Sequence, residues 1–348
     1  MTIYYCLILW VGLVSLFSAS IKGKQKRNII AVGLCGFGIF IIQALRSDAV
    51  GIDISGYITG YHLASNINVF AGARLFNYEV GYILYSQVFS KLGISSQWYL
   101  AIVALTIIGP LSYVWYKNSK MPGLSIFIYI TLGFFTFSFS GLRQSIAMAI
   151  IFFGFKYIQE RHLVKFILCV ALATTFHTTA IISLAAYPLY SLRLKPAQLV
   201  LMIPPFIMAF IFRSQIFLLI YRLYKGVAGE VENTNAYTML IVMILVFVLA
   251  CIFGNKDKLD LKFNAYKNYM LVAIFVQLLA SQSNAVMRAG YYYYLFTTLL
   301  IPEVIKNQKD AVVRTIAVNL LIVALLYFFY TTTGNGYLNV SPYHFYWE

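Results

Sequence analysis

Charge is the scarcest property of this sequence. Only 11% of its 348 residues are charged, and acidic side chains number 11 against 26 lysines and arginines. Apolar residues make up 61% of the chain, and the mean hydropathy is +0.79. A soluble protein of this length cannot be so apolar, because its surface would then be covered with hydrophobic side chains. The composition therefore predicts a polytopic membrane protein.

Several chemical signatures are also missing. The four cysteines, Cys6, Cys35, Cys169 and Cys251, lie singly in apolar runs, where neither a disulfide nor a zinc site is expected. No GxSxG, GxxxxGK[ST] or HExxH motif occurs, and no GxGxxG precedes a helix, so a hydrolase elbow, a nucleotidase and a Rossmann domain lack support. No basic block is long enough to indicate nucleic-acid binding. The first apolar run lacks the features of a cleaved signal peptide, and we expect a retained helix there.

Long apolar runs are abundant instead. A membrane-spanning helix needs about 20 mostly apolar residues, or fewer where the bilayer is thinned. Twelve runs qualify, which predicts an all-α transmembrane bundle of about 12 spans in a single domain, 1–348. The predicted spans are 3–21, 28–45, 97–116, 123–140, 144–158, 163–176, 178–192, 197–212, 237–254, 268–284, 288–305 and 315–331. Residues 163–192 could alternatively form one long tilted helix instead of two short ones that meet near His177.

Basic residues test this map, because they collect in cytoplasmic loops. The loops after spans 1, 3, 5, 7, 9 and 11 hold 18 of the 26 basic residues, 14 of them lysines. The opposite loops hold the other eight, six of them arginines. Both termini are therefore predicted to be extracytoplasmic, as are a long loop at 46–96 and a second at 213–236. Within the first loop, the amphipathic segment 79–93 is predicted to be an interfacial or re-entrant helix.

The arginines on the predicted outer face indicate an anion site. A guanidinium offers a fixed fork of donors that suits phosphate, and it is easier to dehydrate than an ammonium group. Arg143 and Arg288 are flanked by apolar or small residues at span ends, where an ionisable side chain indicates function. Arg46 ends an apolar run, and Arg213 leaves span 8, where simple snorkelling is an equal explanation. The remaining outer basic residues are typical of solvated loops.

Carboxylates and a histidine accompany these arginines. Asp48, Asp53 and Glu79 are the acidic residues nearest the predicted site, and each could be a general base or only an arginine partner. Asp53 follows the turn-forming Gly51 and is the first choice. His177 could be a proton acceptor, a phosphate ligand or merely a hydrogen-bonded residue at a helix end.

The motifs that contain these residues resemble the EpsG family of capsule and exopolysaccharide polymerases, which are functionally akin to the Wzy O-antigen polymerases. They are RSDAVGIDISGY at 46–57, YEVGY at 78–82, GLRQSIA at 141–147, FHTTAI at 176–181, Arg288 before the tyrosine run and Pro302, and Pro342-Tyr343. The resemblance implies a GT-C-type glycosyltransferase of the bacterial inner membrane. On these motifs, Asp48, Tyr57, Gln144 and Tyr292 become further candidates for substrate binding.

The implied reaction transfers a growing glycan from undecaprenyl diphosphate to an incoming lipid-linked repeat unit at the outer face. We expect Arg143, Arg288, Arg213 and Arg46 to bind the diphosphate, with Asp53, His177 or Glu79 as the base, and neither a cofactor nor a metal. Expected partners are the lipid-linked donor and acceptor, membrane lipid, a chain-length regulator and a flippase, but no nucleic acid. A ligase with the same donor, or a lipid-linked oligosaccharide flippase, is the alternative.

Overall fold

A computed structural model describes residues 1–225, 231, 237–254, 260–334, 336 and 338–348. Regular secondary structure in these ranges is helical, and an isolated β-bridge joins Arg46 to Phe345. The prediction of an all-α membrane protein is confirmed at this level.

The helices follow one another with short connections. The first half comprises α1 (Thr2–Ala19), α2 (Lys24–Ala44), α3 (Ile54–Ala64), α4 (Val69–Phe76), α5 (Val80–Lys91), α6 (Ser96–Asn118), α7 (Pro122–Thr131), α8 (Phe134–Ser140) and α9 (Leu142–Gln159). The second half comprises α10 (Leu163–Phe176), a 3-10 helix (Thr178–Ala185), α11 (Ala186–Ser191), α12 (Pro196–Ile211), α13 (Arg213–Lys225), α14 (Tyr237–Phe253), α15 (Leu261–Leu279), a 3-10 turn (Ala280–Gln282), α16 (Asn284–Tyr294), α17 (Thr297–Lys306) and α18 (Ala311–Thr333).

Four of the described helices, α1, α2, α6 and α18, are individually long and apolar enough to cross a bilayer. Two bent pairs raise the number to as many as six, with a bend of 54° between α7 and α8 and of 76° between α12 and α13. The first bend occurs at Gly133, whose φ of +86° suits glycine because a Cβ atom is disfavoured there. Several predicted spans are thus broken or short helices, a property that apolar composition alone does not reveal.

The alternatives for residues 163–192 are resolved by the chain path. Helix α10 ends at Phe176, and His177 adopts an extended conformation with φ −156° and ψ 117°. The chain then turns back. A hydrogen bond shows this reversal, since the Arg161 guanidinium before α10 donates to the Ser191 hydroxyl at the end of α11 (2.5 Å). Two short helical segments therefore meet at His177, and a single long helix is excluded.

Predicted cytoplasmic loops gather at one end of the bundle. Gln159 donates to Asn118 Oδ1 (2.7 Å), and Lys262 donates to the same oxygen (3.3 Å). These contacts join loops that are far apart in sequence but share the predicted side. The basic residues at 256 and 258 and most of the predicted loop 213–236 beyond α13 lie outside the described residues.

At the other end, the C-terminal segment supports the loop after α2. The N–H groups of Gly51 and Ile52 donate to the carbonyl groups of Asn339 and Leu338, at 2.9 Å each. The Tyr4 hydroxyl donates to Val340 O (2.6 Å), which ties α1 to the same segment. These bonds fix the backbone that leads into Asp53.

Helix α9 lies at the centre of the bundle and carries Arg143 on its first turn. It packs against α6, α10, α8 and α16, and most of its apolar residues are buried. Because α9 is surrounded by protein, the position of Arg143 is set by packing on several sides.

Candidate functional site

A cleft of about 480 Å³ opens at the end of the bundle that holds both termini. Six of the predicted site residues line it: Asp53, Tyr57, Arg143, Gln144, His177 and Arg288. The other lining residues are Ile52, Ser55, Gly56, Tyr78 and Gly141. Residues from α3, α9, α16 and the loops beside them thus converge on one polar depression, as the sequence motifs predict.

Glu79 connects two of these side chains from just behind the cleft. Its Oε2 accepts from Arg143 Nη1 in an ion pair, while its Oε1 accepts from His177 Nδ1 (3.0 Å) and from the Thr178 N–H (3.0 Å). The Glu79 side chain is only 14% exposed. Both carboxylate oxygens are therefore occupied, which suits Glu79 to orient its neighbours and leaves it poorly placed to accept a substrate proton.

The charge of Glu79 is strongly favoured. Burial by itself raises the pKa of a carboxyl group, but the bonds from His177, Arg143 and the Thr178 N–H outweigh it and lower the pKa of Glu79 to about 2. An ionised carboxylate can only accept, so His177 donates from Nδ1. In a neutral imidazole this leaves Nε2 as an acceptor on the ring that lines the cleft.

The close approach of α5 and α10 places Glu79 beside His177. A Cβ atom at Gly81 would lie 2.2 Å from Thr175 Oγ1 and 2.7 Å from the Thr175 carbonyl oxygen. Only glycine fits between these two helices at that point. The YEVGY motif therefore combines the carboxylate with the small residue that brings it to α10.

Two tyrosines hold the Arg143 guanidinium. Its Cζ lies 4.3 Å from the centre of the Tyr78 ring, and Nε donates to the Tyr57 hydroxyl at 3.4 Å. Burial and the neighbouring Tyr57 raise the pKa of Tyr78 to about 12, and the tyrosine stays neutral. Arg143 is thus fixed in orientation by an aromatic face on one side and a carboxylate on another.

Arg288 differs, because its guanidinium makes no hydrogen bond or ion pair with the rest of the described chain. Its backbone carbonyl accepts from Gln144 Nε2 (2.6 Å), which joins α16 to α9. Arg288 borders both the cleft and a neighbouring groove of about 370 Å³, which is lined by apolar residues such as Phe137 and Met287 together with five threonines. Its Cζ lies 5.7 Å from the centre of the Phe137 ring, so within the described chain it is a cation without an anionic partner, between the cleft and the groove.

Asp53 is an exposed carboxylate at the start of α3 and has no ionic partner within the described ranges. The turn before it depends on Gly51, whose φ is +123° and where a Cβ atom would lie 2.6 Å from the Phe139 carbonyl oxygen. The predicted turn at Gly51 is confirmed. Asp53 is thus free to meet a ligand in the cleft.

Comparison with known families identifies these motifs as parts of one pattern. A sequence model of the EpsG family matches residues 29–345, which is most of the chain. The chain belongs to the EpsG family. Comparison with curated proteins and with solved structures returns no match. Membership supports a general role as a membrane polymerase of polysaccharide, as the motifs predict.

Besides Glu79, four predicted site residues of this EpsG-family protein lie outside the cleft lining. Arg46 is 1% exposed, and its Nη1 donates to the Phe139 carbonyl (2.7 Å). Arg213 donates to the Phe210 carbonyl (2.8 Å) at the bend between α12 and α13. Asp48 is exposed in the preceding turn, and the buried Tyr292 hydroxyl accepts from Thr179 Oγ1 (3.4 Å). In this conformation Arg46 and Tyr292 hold segments of the fold together.

Sequence reasoning also missed contributors to the EpsG-family site. Tyr78 forms part of the cleft wall, and its ring lies against the Arg143 guanidinium. The sequence did not single it out, because tyrosines near a membrane interface are already explained by the aromatic belt. The hydrogen bond from the Thr178 N–H to Glu79 depends on the chain path, which only the structure shows. Tyr78 could have been found from its place in the YEVGY motif, whereas a backbone donor leaves no signal in side-chain identity.

No group of three or more His, Cys, Asp and Glu side chains suited to a metal ion occurs in the part of this EpsG-family chain that the structure describes. The expectation of metal-independent chemistry remains a prediction.

Proposed function

We propose that this protein is a GT-C-type glycosyltransferase that polymerises lipid-linked repeat units at the outer face of the bacterial inner membrane. The observation that carries the proposal is the cleft in which a free Arg288, an anchored Arg143 and a Glu79-oriented His177 face the same space. Diphosphate recognition needs cations, and hydroxyl activation needs a base. The two requirements are met by different side chains in one cleft.

The donor diphosphate binds between Arg143 and Arg288. Undecaprenyl diphosphate gains negative charge as the bond to the sugar breaks, and fixed guanidinium groups stabilise that charge most in the transition state. The groove beyond Arg288 receives the first isoprene units of the carrier, because it is largely apolar and begins at the phosphate-binding cation. Arg288 thus marks the boundary between the site for the charged diphosphate and the site for the lipid tail.

His177 is the general base. Histidine is the side chain that most often acts as a general base, and the His177 ring lines the cleft while Glu79 holds its Nδ1. The acceptor hydroxyl oxygen attacks the anomeric carbon of the donor glycan while its proton passes to His177 Nε2. The bond from that carbon to the diphosphate oxygen breaks, and undecaprenyl diphosphate leaves with the electron pair. Glu79 holds the tautomer and stabilises the imidazolium, and Asp53 binds hydroxyl groups of the acceptor sugar.

The membrane arrangement follows from the basic residues and the contacts between loops. We propose twelve crossings, several of them by broken or short helices, with both termini and the cleft outside. The lysine-rich loops collect at the opposite end, which agrees with the positive-inside rule. Helices α3, α4 and α5 then lie at the outer interface.

Purified protein supplied with a lipid-linked repeat unit tests the proposal. We expect a ladder of products, strong loss in His177→Ala and in Arg288→Ala, and normal activity in Arg74→Ala. Arg74 is a matched control, because it is an exposed arginine of α4 outside the cleft. A ladder of unchanged intensity in Arg288→Ala, or transfer of single units without elongation by the wild type, would contradict the proposed function.

A further inference from the structure

The lysine-rich end of the bundle contains a second polar cavity. It measures about 140 Å³, and its walls include Lys24, Lys117, Lys120 and Lys262 with two carboxylates, Asp260 and Glu303. Glu303 pairs with Lys120 at 3.8 Å, and Asp260 accepts from the Phe263 N–H at the start of α15 (3.0 Å). Four ammonium groups against two engaged carboxylates leave an excess of positive charge around a small space.

A buried hydroxyl faces the same cavity. Tyr266 is 2% exposed and lines the cavity, yet its hydroxyl has no hydrogen-bond partner within the described ranges. Buried polar groups in proteins are nearly always satisfied, and an unpartnered one beside a cavity indicates a ligand atom. The hydroxyl can donate to an anionic oxygen, as the ammonium groups can. The cavity therefore has the donor set of a phosphate site.

A long apolar groove continues from this cavity. It has a volume of about 620 Å³, runs between α1, α2, α7 and α18, and shares Asn28 and Lys120 with the polar cavity. Apolar residues such as Leu16, Phe127 and Leu326 form its walls, and Arg27 and Lys306 stand at the same end as the lysines. Helices α1 and α18 are the least buried of the four long apolar helices, so the groove lies among surfaces that face lipid.

We propose that this composite site binds one anionic glycerophospholipid, with its phosphate in the lysine cavity and an acyl chain in the groove. Charge complementarity selects the occupant, because a lipid without net charge leaves the excess of ammonium groups uncompensated. Continuity of the two compartments at Lys120 matches a molecule with a charged head joined directly to an apolar tail. The lipid bridges α1, α7 and α18 at the end opposite the catalytic cleft. The inference stands independently of the proposed function.

Native mass spectrometry of the full-length protein in detergent tests the proposal. Dioleoyl phosphatidylglycerol is titrated against dioleoyl phosphatidylethanolamine, which has the same tails but no net charge. We expect one phosphatidylglycerol to bind at least tenfold more tightly than phosphatidylethanolamine. Equal retention of both lipids by the wild type would overturn the proposal.

Three variants locate the site. Lys120→Ala and Tyr266→Phe act on the head cavity, and Gly12→Leu fills the groove without changing charge, since a Cβ atom at Gly12 meets nothing within 4 Å. Each should weaken phosphatidylglycerol binding at least fivefold, whereas Lys165→Ala should not, because Lys165 is exposed outside both compartments. Loss in Lys165→Ala to the same degree would show only general surface attraction. Tight binding of inorganic phosphate that phosphatidylglycerol fails to displace would assign the cavity to a soluble anion instead.

Discussion

Replacement of Glu79 by glutamine tests whether this carboxylate acts by orienting Arg143 and His177, without changing either of those side chains. Glutamine keeps the size of the side chain and retains one oxygen that can accept from the Thr178 N–H or His177. Its amide group, however, presents N–H donors to Arg143, which is itself only a donor. The change should therefore release Arg143 and weaken the hold on the His177 tautomer, although neither side chain is altered.

The size of the effect follows from the pKa. Lowering the pKa of Glu79 from 4.5 to about 2 corresponds to roughly 3 kcal/mol in favour of the charged form, at a side chain only 14% exposed. Because the folded-state pKa is depressed, this stability is present above pH of about 4.5 and is lost as the pH falls toward 2. Glu79→Gln should remove most of it at neutral pH and flatten the acid limb of the thermal-stability profile.

Activity and stability are measured on the same preparations. We expect kcat for polymerisation to fall by at least about tenfold, or roughly 1.4 kcal/mol, with a raised KM for the lipid-linked donor. Glu160→Gln is the matched control, since Glu160 pairs with His162 at 3.9 Å on an exposed surface at the opposite end. Wild-type kcat and an unchanged acid limb in Glu79→Gln would refute the role assigned to this carboxylate.

Four further outcomes are expected. Arg143→Lys keeps the charge but loses the guanidinium fork, so activity should fall by more than about tenfold; normal polymerisation would remove Arg143 from the diphosphate site. Gly81→Ala should impair folding or activity, because its Cβ atom would lie 2.2 Å from Thr175 Oγ1, and a wild-type melting temperature and rate would mean that α5 and α10 are not so close. A cysteine introduced at Asn66 should be labelled from outside, and one at Asn307 should be protected. The reverse labelling pattern would mean that the proposed topology is inverted. Polymerisation should persist in excess chelator, whereas loss restored by magnesium would make carboxylates metal ligands.

Much of the candidate site could be predicted from local sequence patterns. Arg143 and Arg288 were recognisable because charged side chains at the ends of apolar runs are costly without a purpose. Asp53 was recognisable beside a glycine turn, and the positive φ at Gly51 agrees with that interpretation. Local reasoning of this kind found Asp53, Arg143 and Arg288, and the family motifs added Tyr57 and Gln144 to the predicted residues that line the cleft.

Other assignments depended on contacts that no local pattern encodes. Arg46 looked equivalent to the other outer arginines, but a distant carbonyl group at Phe139 accepts its hydrogen bond and the side chain is buried. Similarly, the apolar run at 163–192 could not reveal that the chain reverses at His177. Apolar composition is compatible with either path, and only packing against neighbouring helices selects one.

Composition and residue identity are sufficient to establish the membrane class, the family and the side chains available for binding an anion and moving a proton. Which of these side chains act together depends on how the helices pack. Glu79 is 64 residues from Arg143 and 98 residues from His177, yet it contacts both. That juxtaposition arises from the packing of α5 against α10 and from the central position of α9, and packing between helices distant in sequence leaves no local periodic pattern.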